Sequence, residues 1–418
     1  MFKQLKGQFN KAEWSWMFQD WANSAYSLMI TTAIFPIFYK SVADAAGISG
    51  ADSTAYLGYT NAIATVLTAV LAPFLGTSAD YKGYRKPLFT ISTLLGIIAV
   101  FSMMFIGNGN WFLLLVVYAI SSFGFHVANI FYDSSIMDVT TPERLDQVSS
   151  TGFGLGYIGS VFPFLIFMVF QLTGIFPANV TVNIGFLLTA AWWFIFTIPY
   201  WKNVNQVNYL EKTEGIVQTT VKSLTATVKE LKKYPHIYLF LFGYFFYIDG
   251  VGTIIAMATS VGTDLGLSAN ELIIMLLVVQ IVAFPCSIMY GYLARRFGTR
   301  TMLFGGIATY IVICIFGLSL DSFTDFMILA VLVGTAQGGI QGLSRSYFGQ
   351  IIPREKSNQF YGFYNIFGKF SSVLGTTILG VVAQITGDSL KGLFALIVQF
   401  IIGAILLYMA KPSKSYNN

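Results

Sequence analysis

Acidic and amide side chains stand inside apolar runs of this chain at spacings that gather them on single helical faces. Asp20 is followed by Asn23, Ser24, Ser27 and Thr31, which share one side of an α-helix. His126, Asn129 and Asp133 follow one another at intervals of three and four. Gln337, Gln341 and Ser344 form a third stripe, Asn365 and Lys369 a fourth, while Asp249 and Gln280 stand alone in apolar surroundings. A carboxylate in a dry setting binds a cationic group or carries a proton, because desolvation raises its proton affinity. An imidazole titrates near neutrality and can relay protons. Amides donate and accept together, which suits a zwitterionic or hydroxylated solute. The same side chains also serve as hydrogen-bonded glue between helices, and both readings stand at this level.

The elements that must position these groups follow from composition. Of 418 residues, 55% are hydrophobic and only 10% charged, against about 25% charged in soluble domains. About 20 apolar residues cross a bilayer core, and twelve runs of that length are found. They lie at roughly 14 to 39, 55 to 79, 87 to 107, 111 to 137, 148 to 173, 182 to 201, 236 to 260, 270 to 293, 301 to 320, 326 to 349, 360 to 384 and 391 to 410. The expected fold class is an all-α membrane protein. The first run is too long for a signal-peptide core and has no small-residue cleavage site, so it is read as the first helix.

Other function classes find no support. The nearest approach to a phosphate loop, GFYNIFGKF, spaces Gly362 one residue too far from Gly368 and has no Ser or Thr after Lys369. Cys286 and Cys314 give neither a disulfide framework nor metal-ligand spacing. Asn179-Val180-Thr181 is a formal glycosylation sequon in a very short loop and carries little weight. No enzyme, cofactor, metal or nucleic-acid partner is expected. The net charge of +5 reports orientation: apart from Lys40 and Lys391, every Lys and Arg lies on one side, so both termini are expected in the cytoplasm.

The longest polar interval, 202–235, separates a six-helix unit at 1–201 from a second at 236–418. Within it Val217, Val221, Leu224, Val228 and Leu231 oppose Lys222, Lys229, Lys232 and Lys233, either an amphipathic helix on anionic lipid or a solvated linker. The two units look duplicated. GTSADYKGYRK carries Gly76, Asp80, Gly83 and Arg85, and GYLARRFGTR carries Gly291, Arg295, Gly298 and Arg300. TTPERLDQVSSTG and IIPREKSNQFYG form a second pair, and Asp20 and Asp249 a third. Three matched landmarks argue for an internal repeat of the transporter kind. At 1.5 Å per residue Asp249 falls roughly 20 Å into its helix, near the midplane, whereas Asp20 is nearer the cytoplasm.

The Gly76–Lys86 run resembles the cytoplasmic loop signature of the major facilitator superfamily. More narrowly, DWANSAY, YIDGVGTI, RLDQVSSTGFGLGYIGS and QGLSRSYFGQIIPREKSNQFYGFYNIFGK resemble the vacuole-effluxer, or autophagy-related permease, family. The resemblance implies two six-helix bundles about a cavity lined by helices 1, 4, 7 and 10. It also implies export of a small solute, amino acids first, by alternating access, with a proton as a candidate coupling ion. Asp20, Asn23, His126, Asn129, Asp249, Gln280, Gln337, Gln341 and Asn365 are the expected solute or proton groups. Gly76, Asp80, Gly83 and Arg85 are expected to gate, Asp80 by docking on the N-terminus of helix eleven. Asp133 and Asp138 are expected to oppose Arg345 and Lys369 in an acid–base gate, with Asp133 and Arg345 the first pair.

Departures from the pattern are plain. Tyr81 replaces a basic residue, Arg295 stands where the first copy has Asp80, and Gly152, Gly154, Gly156 and Gly159 lack the Gly-Pro of the antiporter signature. Antiport is therefore not assigned. A monomer in contact with membrane lipid is expected, and short loops and tails favour a bacterial inner membrane over a vacuole. A non-transporting receptor or scaffold is the competing reading.

Overall fold

Twelve helices long and apolar enough to cross a membrane are found among the residues described by the computed structural model, 7–107, 109–211, 234–264, 266–320, 322–386 and 389–410. They are α1 (Lys11–Ala45), α2 (Gly50–Ala79), α3 (Arg85–Phe105), α4 (Trp111–Val139), α5 (Pro142–Thr173), α6 (Ala178–Asn203), α7 (Pro235–Ala256), α8 (Glu271–Phe297), α9 (Thr299–Gly317), α10 (Phe323–Ile351), α11 (Arg354–Thr386) and α12 (Leu390–Met409). Each coincides with one of the twelve apolar runs. The amphipathic helix expected between Val217 and Lys233 lies outside the described residues.

Local chemistry sets the ends. Asn10 accepts the Glu13 backbone N–H at 2.8 Å while the Glu13 carboxylate takes the Asn10 N–H at 2.8 Å, which satisfies two donors at the start of α1. Ser268 with Glu271 and Ser322 with Asp325 repeat this box at α8 and α10. Inside α1 the chain widens to π-helical bonding over Tyr26–Ile34, with the Phe35 N–H reaching Ile30 O. Pro36 follows at once and has no N–H to continue the α-helical ladder.

Contacts divide the chain into two compact units, one of Met1–Thr140, Leu155–Ile216 and Glu355–Gly362, the other of Thr141–Gly154, Val217–Arg354 and Phe363–Asn418. The expected division at the 202–235 interval thus omits two short exchanged segments, which are the first turns of α5 and α11. Hydrogen bonds described below bind each of them to its unit.

The first unit is built on aromatic layers. Trp16 stacks on Tyr132 at 4.6 Å and donates its indole N–H to Tyr132 O at 3.0 Å. Tyr26 stacks on Phe125 at 4.5 Å, and Phe35 on Tyr118 at 3.9 Å. In the second, Tyr244 stacks on Tyr364 at 4.3 Å and Tyr310 on Phe400 at 5.4 Å. Large apolar side chains such as Ile63, Val70, Ile98 and Val312 stay more than half exposed. On a soluble chain such a surface would be an association hazard, but it is what a helix offers to lipid.

Candidate functional site

Asn23 on α1 and Asn129 on α4 meet in the first unit, with Asn23 Nδ2 donating to Asn129 Oδ1 at 2.7 Å. Asp20 and Asn23 are both buried, one helical turn apart. On another side of α1, α5 packs closely: a Cβ on Gly156 would lie 2.5 Å from Ser24 Oγ, and one on Gly159 would lie 2.7 Å from the Trp21 ring. His126 is partly exposed and edges onto Phe125 at 5.4 Å. Of the stripe read from the sequence, Asn23 meets α4, Ser24 lies against α5, and Ser27 and Thr31 are exposed.

The second unit scatters its polar groups. Gln337 on α10 is buried, Gln280, Gln341 and Asn365 are half-buried, and Lys369 on α11 is half-buried as well. The amide oxygens of Gln280 and Gln337 have no hydrogen-bond partner. Asp249 is wholly buried and accepts the Gly375 N–H of α11 at 3.0 Å. The helical register of α7 turns this carboxylate toward α11, an orientation that depth along the span does not determine.

Asp80, at the turn after α2, is completely buried and docks on the first turns of α11. It accepts the backbone N–H groups of Asn358 and Gln359 at 2.8 and 3.1 Å and the Asn358 side-chain N–H at 2.9 Å. Free N–H groups at a helix start favour an anion there. Burial pushes the Asp80 carboxyl up to about 7, while Asn358, Gln359 and Arg85 draw it back. Gly76 admits the helix: a Cβ on it would lie 2.5 Å from Asn358 O. Gly83 turns the loop at φ +81°, a conformation that costs other residues strain.

Arg85 pairs with Asp138, both side chains almost fully buried. Asp138 also accepts the backbone and side-chain N–H groups of Asn208, and Arg85 donates to Asn205 O at 3.1 Å. The partner of Asp138 is thus Arg85 at the start of α3, where Arg345 or Lys369 had been expected. Asp133 lies buried one turn before it. The strap after α6 was not foreseen. Gln206 takes the Gly83 N–H, Lys82 N–H donates to Leu210 O at 3.1 Å, and Leu210 N–H returns to Asp80 O at 2.8 Å.

Asp146 was also missed. It starts α5 within the second unit and accepts from Thr299 Oγ1 at 2.6 Å, Ser346 Oγ at 2.5 Å and Gln350 Nε2 at 3.0 Å. Beside it the buried Arg345 donates to Ser149 Oγ and O at 2.9 and 3.0 Å and covers the Phe153 ring at 4.2 Å. Aligning ERLDQ with EKSNQ would have revealed Asp146, since it falls opposite Asn358.

The family model described as vacuole effluxer Atg22 like matches residues 9–140 and 135–418. The chain belongs to that family. The MFS-type transporter YxiO of Bacillus subtilis (strain 168) is 49% identical over 405 residues, 96% of this chain and 95% of that protein. Autophagy-related protein 22-1 of Penicillium rubens is 25% identical over 291 residues, 64% of this chain and 48% of its own length. This effluxer-family chain thus spans about half the length of that fungal relative. Among solved structures it superposes on the human organic anion transporter MFSD10 with a TM-score of 0.71 at 12% identity, covering 95% and 99% of the two chains. A bacterial homologue of the iron transporter ferroportin gives 0.70 at 13%, covering 96% and 99%. These last likenesses establish the major facilitator fold. The chain is an MFS-type transporter and an integral membrane protein of the effluxer family.

Proposed function

We propose that this effluxer-family protein is a secondary active transporter that exports a small solute by alternating access, with amino acids the first substrate class. The observation that carries the reading is the Asn23–Asn129 contact beside buried Asp20. Two amides next to one carboxylate in apolar helices match the ammonium and carboxylate ends of a zwitterion. Asp20 is also our candidate for a coupling proton. Gly76, Asp80, Gly83 and Arg85 form a latch that must release for the transporter to change state, and Asp133 with Arg345 or Lys369 forms the acid–base gate. Both termini lie in the cytoplasm of a bacterial cell, and the monomer is the working unit.

The test is a comparison of exported small molecules from cells with and without the protein, followed by proteoliposome flux under imposed ion gradients. Gradient-driven amino-acid movement that is lost in Asp20→Asn, with the variant still folded, supports the reading. A pure protein that moves no solute under any gradient, yet holds a partner protein tightly, favours a receptor or scaffold instead. For the gate, Asp133→Arg should impair flux and Arg345→Asp added to it should restore much of the loss.

A further inference from the structure

A second polar cluster, unlike the α1–α4 contact, is sealed inside the second unit. Asp249 and Thr253, one turn apart on α7, are both fully buried, and Gln399 on α12 is nearly so. Asp249 Oδ1 is satisfied by the Gly375 N–H at 3.0 Å. Thr253 Oγ1 has no partner, and Asp249 Oδ2 and the Gln399 amide, which lies against the carboxylate, make no hydrogen bond of good geometry. A Cβ on Gly375 would stand 2.2 Å from Thr253 Oγ1 and 2.7 Å from Asp249 Oδ2. Both oxygens therefore crowd one bare stretch of α11, and only glycine leaves them room.

Unpartnered polar atoms in a membrane interior are costly unless something satisfies them. No cation of the described residues lies within ion-pair distance of Asp249. A proton on the carboxyl is the competing occupant, because the Thr253 hydroxyl and the Gln399 amide can both donate and accept. An ion can draw on Oδ2, Oγ1 and the amide oxygen together, since hard cations take carboxylate, hydroxyl and amide oxygens. One carboxylate with otherwise neutral donors balances one positive charge.

We propose that Asp249 and Thr253, gathered on the bare backbone of Gly375, form with Gln399 a binding site for one dehydrated monovalent cation, sodium being the candidate. For a transporter the consequence is coupling to a sodium gradient. That consequence rests on the transport reading, but the binding itself requires no solute.

The test measures thermal unfolding of the purified full-length protein at constant ionic strength in sodium, lithium, potassium or choline chloride, at two pH values. A ligand that binds only the folded state raises the midpoint saturably. Sodium should do so and choline should not. Asp249→Asn should abolish the sodium response while unfolding as the parent does in choline, and Thr253→Val, which keeps shape, should weaken the apparent affinity at least tenfold. If Asp249→Asn fails to fold, Thr253→Val and Gln399→Leu carry the same comparison. A midpoint indifferent to every cation, or a sodium response that survives these substitutions, overturns the site. A midpoint that follows pH alone, with that dependence removed by Asp249→Asn, overturns it in favour of a proton. Solute flux is read separately in proteoliposomes, so loss of transport with sodium binding intact faults only the transport reading.

Discussion

Asp80 holds Asn358 twice, through its backbone N–H at 2.8 Å and its side-chain N–H at 2.9 Å. At the matching junction ERLDQ stands where this one has EKSNQ and Arg295 where it has Asp80, so Asp146 takes the place of Asn358. The carboxylate has changed sides. Asp146 accepts from Thr299, Ser346 and Gln350, and a Cβ on Gly291 would press on Asp146 O at 2.8 Å, as one on Gly76 would press on Asn358 O. Each of the two loop–helix junctions keeps one buried acid, Asp80 at one and Asp146 at the other, both from the first copy, and the second copy supplies Asn358 and Arg295 at the matching positions.

The Asp80 latch should respond to pH. Its carboxyl is raised from 3.8 to about 7 when docked, chiefly by burial, so docking takes up a proton. That contribution is fully present below about 3.8 and is lost as pH rises through about 7. Hydrogen exchange at Asn358 and Gln359, corrected for its intrinsic pH dependence, should show protection falling across this interval. In Asp80→Asn the fall should vanish, and a persistent fall would assign it to another group.

The two loop glycines should fail differently. Gly76→Ala drives a methyl into Asn358 backbone and should cost about 1–3 kcal/mol by overpacking, with exchange at Asn358 accelerated. Gly83→Ala meets no neighbour but keeps φ +81°, at roughly 1–2 kcal/mol. Denaturation curves give the energies, and unchanged exchange at Asn358 in Gly76→Ala would refute the close-packing account.

The Arg85–Asp138 pair should be worth little in itself and much when halved. Both side chains are almost fully buried, and removal of one partner strands a charge at about 3–5 kcal/mol. Arg85→Met and Asp138→Leu should each lower the unfolding midpoint sharply, and the double variant should recover part of the loss. Losses that simply add would show that the two residues do not act as a pair.

Asn23 and Asn129 should be coupled in transport. Each Ala substitution should reduce flux about fivefold, equivalent to the roughly 1 kcal/mol of one hydrogen bond, and the double variant should do little more. Flux measured against solute concentration checks this, and normal flux in both single variants would remove the pair from the solute path.

What the sequence determined by itself was everything that depends on local periodicity. Twelve spans, the repeat landmarks and the polar stripe of Asp20 and Asn23 are legible because hydropathy and helical spacing act within a few turns. The Asp80 docking was legible through family resemblance alone. Tertiary structure decided which neighbour each polar group meets. Asp249 turned out to face Gly375 on α11, Asp138 to face Arg85, and Asp146 to anchor the start of α5. Depth along a helix follows from counting residues, but a side chain's partner depends on how helices far apart in the chain rotate and pack, and a single sequence carries no direct record of that rotation.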